Sequence, residues 1–342
     1  MVFRYEWSWL QVTRFKRSLP SFVAYLLLAA ATLMGCTTKS QTPKTEQASS
    51  NVKQKVVRIG YQKGTAFLNI LKARGSLEKR LGSEVSVKWS EFTQGPPMME
   101  AMNAGAVDIG VVGPPPPIFA QAAGTPIVYV GSSLPSGKSQ VVLVAKNSPI
   151  RTVSELKGKK VAVGKGTAGH YLIIKVLESA GLKLEDIQPV YLLPPEARTA
   201  FEGGKVDAWV TSDPRYAEAE RTGKARLLAD GEKIAEQRSF FIATRNFVDK
   251  HPDLVKVILE EQKKDEEWAK SNRKETAQIL EKATGVKAEN WEWSFERRPS
   301  FGVLFMDDKI IAEQQEMADL FFNLKLIPKP VQVKEATWIP QP

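Results

Sequence analysis

Short apolar runs and helix-period stretches alternate along most of this chain, and the alternation happens twice. Residues 56–59, 85–87, 107–112 and 127–130 read as buried strands. Between them, residues 98–102 and 118–123 read as helices, opened by Pro97 and Pro117 and stopped by Gly105 and Gly124. The succession returns with strands near 141–145, 161–163, 190–193 and 208–210 and helices near 171–180 and 197–202. Strands separated by helices predict an α/β fold with mainly parallel sheets covered on both faces. Two echoes sharpen this into a duplication: Lys63-Gly64-Thr65 returns as Lys165-Gly166-Thr167, and Gly105-Ala106-Val107-Asp108 as Gly204-Lys205-Val206-Asp207. Each pair lies roughly a hundred residues apart, the spacing of two lobes built on one plan. After residues 240–243 the pattern turns helical. Pro252 opens a long helix with Leu254, Val255, Ile258 and Leu259 on one face, and residues 308–322 form another with Ile310, Ile311, Met317, Leu320 and Phe321. Both are expected to pack back on the first lobe.

The N-terminus departs from this pattern. Basic residues up to Arg17 precede an apolar stretch at 19–33 that ends in Leu33-Met34-Gly35-Cys36, which resembles a bacterial lipoprotein signal with Cys36 as the lipidated residue. The stretch is short for a membrane span, which needs about 20 apolar residues, and it contains Pro20. Cys36 is the single cysteine, so a disulfide within the chain is excluded and lipidation accounts for the thiol. Residues 37–55 are polar and aperiodic, the composition of a flexible tether. The expected organisation is a signal peptide at 1–35, a tether at 36–55, a first lobe at 56–139, a second at 140–243, and a return to the first at 244–342.

Charge and catalytic residues remove several functions. The net charge is +10, but bases are interspersed with acids, as in Glu260 to Glu267, and form no basic stripe with interleaved aromatics, which argues against nucleic acid as a partner. Only His170 and His251 are present. No nucleophile has a base at a recognisable spacing and no His or carboxylate cluster has metal-ligand spacing, so neither a catalytic residue, a metal nor a cofactor is expected. Asp108 and Asp207 stand at equivalent places in the repeat, which points to a structural role. A parallel open sheet binds ligands beyond the carboxyl ends of its strands, where loops enter helices. Those loops here are rich in glycine: 61–65, 93–96, 113–115, 164–170 and 211–214. Glycine admits close backbone approach and helix starts favour negative charge, so the ligand expected is a small anion.

The segments Ile59-Gly60-Tyr61-Gln62-Lys63-Gly64, Pro117-Ile118-Phe119-Ala120-Gln121-Ala122-Ala123-Gly124, Asn147-Ser148-Pro149-Ile150, Asp186-Ile187-Gln188-Pro189 and Val206-Asp207-Ala208-Trp209 together resemble the aliphatic sulfonate-binding proteins of ABC transporters, from about Val57 to Pro340. The resemblance implies a two-lobed type II periplasmic-binding fold that closes on an alkanesulfonate and presents it to a membrane permease, as a monomer held in the periplasm by its lipid. It also implies a site. Gln62 donates from the first loop, Gly95, Gly113 and Pro114 lie at the floor of lobe one, and Thr167, Ala168 and His170 offer hydroxyl, amide and imidazole from lobe two. Trp209 and Asp213 follow the last strand of lobe two, and Arg298 reaches back toward the cleft. Trp209 has a core reading beside the ligand reading, and Lys165 is expected in solvent. Two departures from relatives, Pro114 in place of an acid and Ser212 in place of an aromatic, imply a less acidic pocket that favours unsubstituted or bulky alkanesulfonates over taurine. Nitrate, taurine or an anionic vitamin precursor stay open as ligands, as does a catalytic role on the same fold.

Overall fold

Aliphatic runs flanked by glycine and proline become the strands of two sheets in the computed structural model, which describes residues 55–298 and 301–340. The leader, most of the tether and Cys36 lie outside the described residues. In chain order the strands are β1 (Lys55–Gln62), β2 (Val85–Phe92), β3 (Ile109–Val112), β4 (Ile127–Ser132), β5 (Gln140–Ala145), β6 (Lys160–Val163), β7 (Gln188–Tyr191), β8 (Ala208–Ser212), β9 (Ala225–Asp230) and β10 (Phe240–Thr244).

The first sheet runs β2-β1-β3-β10-β4 and the second β7-β6-β8-β5-β9. The orders match position for position, with β1 answering to β6, β2 to β7, β3 to β8 and β4 to β9. The fourth place in each is antiparallel: β10 runs against β3 and β4, and β5 against β8 and β9. The remaining pairings, β1 with β2 and β3 and β6 with β7 and β8, are parallel. Each antiparallel strand is the one the chain enters on crossing from the other lobe. The crossings, residues 133–139 and 231–239, pair with each other: Ser133 N donates to Ser239 O at 2.8 Å and Ser136 N to Gln237 O at 2.9 Å.

This arrangement corrects the expected boundary at residue 243. β10 belongs to the first sheet, so Ala243 is a mid-strand residue and the return crossing ends before Phe240. An apolar run such as Phe240-Phe241-Ile242-Ala243 suits either sheet, and periodicity carries no information about which one it joins. Ser139, by contrast, closes the first crossing.

The equivalent aspartates do equivalent structural work. Asp108 Oδ2 accepts from Arg58 N, and Asp207 Oδ2 from Lys160 N, each at 2.8 Å. Both staple the start of a third-place strand to its neighbour. The long C-terminal helices supply core to the first lobe. Leu254, Val255, Ile258 and Leu259 of helix Pro252–Ser271 pack with Val57 and Ile59, and Ile310, Ile311, Met317 and Phe321 of helix Asp308–Asn323 pack with Ile118 and Tyr129. Helix Ala288–Arg297 reaches the second lobe, where Arg221 bonds Asn290 and Trp293 Nε1 donates to Glu220.

Candidate functional site

The carboxyl ends of the strands of both sheets open on one cleft, which encloses about 1340 Å³ including the space at its mouth. Its wall comes from the loops the sequence singled out: Gln62 and Gly64, Thr93 to Gly95, Gly113, Gly164 and Thr167 to Gly169, and Thr211 to Asp213. Glycines let the two lobes meet closely. A Cβ on Gly113 would stand 3.3 Å from Ala168 Cβ, and one on Gly164 would stand 3.2 Å from Gln94 Nε2.

Of the expected site residues, Gln62, Gly95, Gly113, Thr167, Ala168, Trp209, Asp213 and Arg298 border the cleft, and Pro114 and His170 do not. Several of those that do border it have their polar groups turned elsewhere. Gln62 Nε2 donates to Val111 O at 3.1 Å and Thr167 Oγ1 to Gly164 O at 2.7 Å. Pro114 O accepts from Gln314 Nε2 at 2.7 Å, a contact within lobe one. His170 is buried: its Nδ1 accepts from Gly166 N at 3.3 Å and its Nε2 faces Tyr191 Oη at 3.5 Å. Burial, with the nearby Lys165 charge, pushes the imidazole down to about 4, so it is neutral and serves to hold the 164–170 loop. Trp209 borders the cleft from within the second lobe's core, where it stacks on Phe201 at 5.6 Å between ring centres. Lys165 is exposed, as expected.

Both lobes bring a helix start with free amides to the cleft; in lobe one it is that of helix Phe67–Arg74, where Ala66 and Phe67 border the cavity. Helix Ala168–Ser179 begins at the cleft, and the Ala168 and Gly169 amides lie in its first turn, where N–H groups have no intrahelical acceptor. Two further lobe-one helices that start at the cleft, Gly95–Asn103 and Pro115–Ala122, carry Pro96 and Pro97 and Pro115 to Pro117 in their first turns. Proline has no N–H, so these starts form a wall poor in donors.

Three charged side chains line the cleft among the described residues: Asp213, Arg215 and Arg298. Asp213 is occupied. Arg297 donates from Nε at 3.0 Å and Nη2 at 2.8 Å to its two oxygens, and Ala217 N donates to it as well. Arg298 donates to Ser133 Oγ at 3.0 Å and more weakly to Leu134 O at 3.4 Å, while its buried Nε has no partner. Burial lowers its pKa to about 10, with Glu266 and Asp213 opposing the shift. Arg215 was missed in the sequence, where the 211–214 loop was taken to end one residue too soon. It opens helix Arg215–Arg221, and a Cβ on Gly64 across the cleft would stand 2.6 Å from its Nη2.

Two sheets of one topology, paired crossings and a donor-lined cavity between them define a two-lobed α/β binding protein. The family model described as NMT1/THI5 like matches residues 84–276. The alkanesulfonate-binding protein SsuA from Xanthomonas axonopodis pv. citri bound to MOPS superposes with a TM-score of 0.80 at 37% identity, over 83% of this chain and 98% of that one. The periplasmic aliphatic sulphonate binding protein SsuA from Escherichia coli superposes with a TM-score of 0.78 at 41% identity, over 83% and 97%. An aliphatic sulfonates-binding relative in Escherichia coli (strain K12) is 42% identical over 284 residues, 83% of this chain and 89% of its own. The chain therefore belongs to the NMT1/THI5-like family and, within it, to the aliphatic sulfonates-binding proteins.

Proposed function

We propose that the protein captures aliphatic sulfonates in the inter-lobe cleft and delivers them to the permease of an ABC importer, working in the periplasm and held to a membrane by lipid on Cys36. The observation that carries this reading is the imbalance of donors and acceptors. First-turn amides and two guanidinium groups face the cavity, and its one carboxylate, Asp213, is tied up by Arg297. A sulfonate stays singly charged across physiological pH and has only acceptors, so a wall of donors suits it. Each charge-assisted bond contributes roughly 1.5–3 kcal/mol, so a few of them reach micromolar affinity at about −8 kcal/mol. Ligand binding closes the lobes about the paired crossings.

The wall also favours sulfonates without an ammonium group. Pro114 stands outside the cleft wall and gives no such preference; the occupied Asp213 does, since it leaves an ammonium no free carboxylate. A transport role fits better than catalysis, because the one buried histidine is neutral, turned toward its own loop and outside the cavity wall. Titration calorimetry of the purified protein with ethanesulfonate, taurine, nitrate and sulfate tests the reading. Ethanesulfonate is expected to bind most tightly of the four, and taurine or nitrate ranking above it would overturn the assignment.

A further inference from the structure

Arg215 is placed where a cation gains little from the protein. It is the first residue of helix Arg215–Arg221, at the positive end of the helix dipole. Among the described residues its guanidinium makes no hydrogen bond and no ion pair. Glu218 is the nearest acid to act on it, but both oxygens of Glu218 are taken by Arg198 at 2.9 Å each. Arg198 thereby adds a like charge nearby. Burial lowers the Arg215 pKa, and the Arg198 charge lowers it further. Arg298, at the same cavity, bonds only neutral oxygens. The buried Glu266 carboxyl acts on it through space but forms no ion pair with it.

Among the described residues the cleft therefore holds two guanidinium groups that form no ion pair with any carboxylate, since Asp213 is matched by Arg297. Desolvated charges persist when paired, and a residue held unpaired at a binding cleft is completed by what binds there. One sulfonate answers one of the two charges. We propose that the preferred ligands are sulfonates bearing a second acid group, and that Arg215 is the residue that selects them by pairing with that group. This rests on the sulfonate reading above and narrows it to a substrate class. Arg215 lies on lobe two against Gly64 of lobe one, so a ligand that pairs with it also draws the lobes together.

Calorimetry with sulfoacetate and ethanesulfonate on the wild type, Arg215→Gln and Arg215→Lys tests it. The two ligands differ by one carboxylate. The wild type is expected to bind sulfoacetate about tenfold or more tightly than ethanesulfonate, the scale of one charge-assisted pair. Arg215→Gln is expected to remove that preference, costing sulfoacetate about tenfold more affinity than it costs ethanesulfonate, and Arg215→Lys to retain part of it. Replacing a desolvated charge that has no hydrogen bond or ion pair costs the fold little, so the ligand-free Arg215→Gln protein is expected to melt no lower than the wild type. Equal affinity of the wild type for the two ligands, or an equal loss for both in Arg215→Gln, would overturn the proposal and leave sulfonate binding standing. A wild type that binds neither would instead remove the sulfonate reading itself.

Discussion

The two lobes start from the same words and end with different chemistry. Lys63-Gly64-Thr65-Ala66 and Lys165-Gly166-Thr167-Ala168 both follow the strand at the second place of their sheet and lead into a helix at the cleft. The next two residues diverge. Lobe one has Phe67 and Leu68, and Phe67 packs edge-on against Phe241 and Phe301. Lobe two has Gly169 and His170, which leave the helix start open to the cavity and hold the loop behind it. The proline-filled starts of helices Gly95–Asn103 and Pro115–Ala122 push lobe one further toward an apolar wall. Duplication supplied the cleft, and a handful of positions made one side greasier and the other richer in open helix amides, with Arg298 standing over Phe67 on the greasier side.

The largest test of this comparison concerns the stapling aspartates. Asp108 bonds Arg58 through its backbone N, Nε and Nη2, while Asp207 bonds only Lys160 N among the described residues. Asp108→Asn is expected to cost about 3 kcal/mol in urea unfolding and Asp207→Asn about 1 kcal/mol, because the first loses a charged pair whose carboxylate is buried while its arginine is partly exposed, and the second one exposed bond. Equal losses would mean the two staples carry the same load.

Next comes a swap of helix starts. Thr167 is extended, with φ −109° and ψ 171°, which suits a residue before proline, and Ala168 is the first helical position. Ala168→Pro therefore gives lobe two the helix start of lobe one, removing an amide without breaking the helix. Sulfonate affinity is expected to fall by roughly 10- to 100-fold with the melting temperature little changed. An unchanged affinity in calorimetry would show that the amide end is not the donor side.

The His170 position gives a pH signature. Its folded value of about 4 lies below the ordinary 6.5, so between these the unfolded chain takes up a proton that the folded protein refuses. Stability from this group is complete above about pH 6.5 and is lost as pH falls toward 4. Replacing it by the lobe-one residue, His170→Leu, is expected to spare the variant roughly 2 kcal/mol of the wild type's loss between pH 7.5 and pH 5. Parallel unfolding curves for the two proteins would contradict the buried neutral imidazole. The smallest effect is expected from Pro115→Ala, which returns an amide to the greasy side. Affinity should stay within about twofold if that wall only fills space.

Much of this architecture was legible because central strands are buried on both faces and read as unbroken apolar runs. β9 was not, because Ala225-Arg226-Leu227-Leu228-Ala229-Asp230 is an edge strand with Leu227 exposed and a charge at its second place. Helices Arg273–Thr284 and Ala288–Arg297 escaped for a related reason. Their buried apolar residues are few, Ala277 and Leu280 in one and Trp291 and Phe295 in the other, amid many charges. The cleft loops were readable from their glycines. Which way their side chains turn was not: Thr167 found a carbonyl of its own loop and Gln62 that of Val111 on the neighbouring strand β3, and only coordinates record such competition. Arg215 did leave a trace in the sequence, a lone cation on the first turn of a helix, where acids are favoured.

The exchange of antiparallel strands between the lobes bears on how the chain is made. β4 has one neighbour in its sheet, β10, and the two are separated by the whole of the second lobe. A ribosome that has released everything up to Ser132 has therefore produced a strand with nowhere to dock, and the gap stays open until Thr244 emerges. Neither half can be cut free and expected to stand alone. Assembly of the first lobe is bound to be late and long-range, and that places it among slow folders.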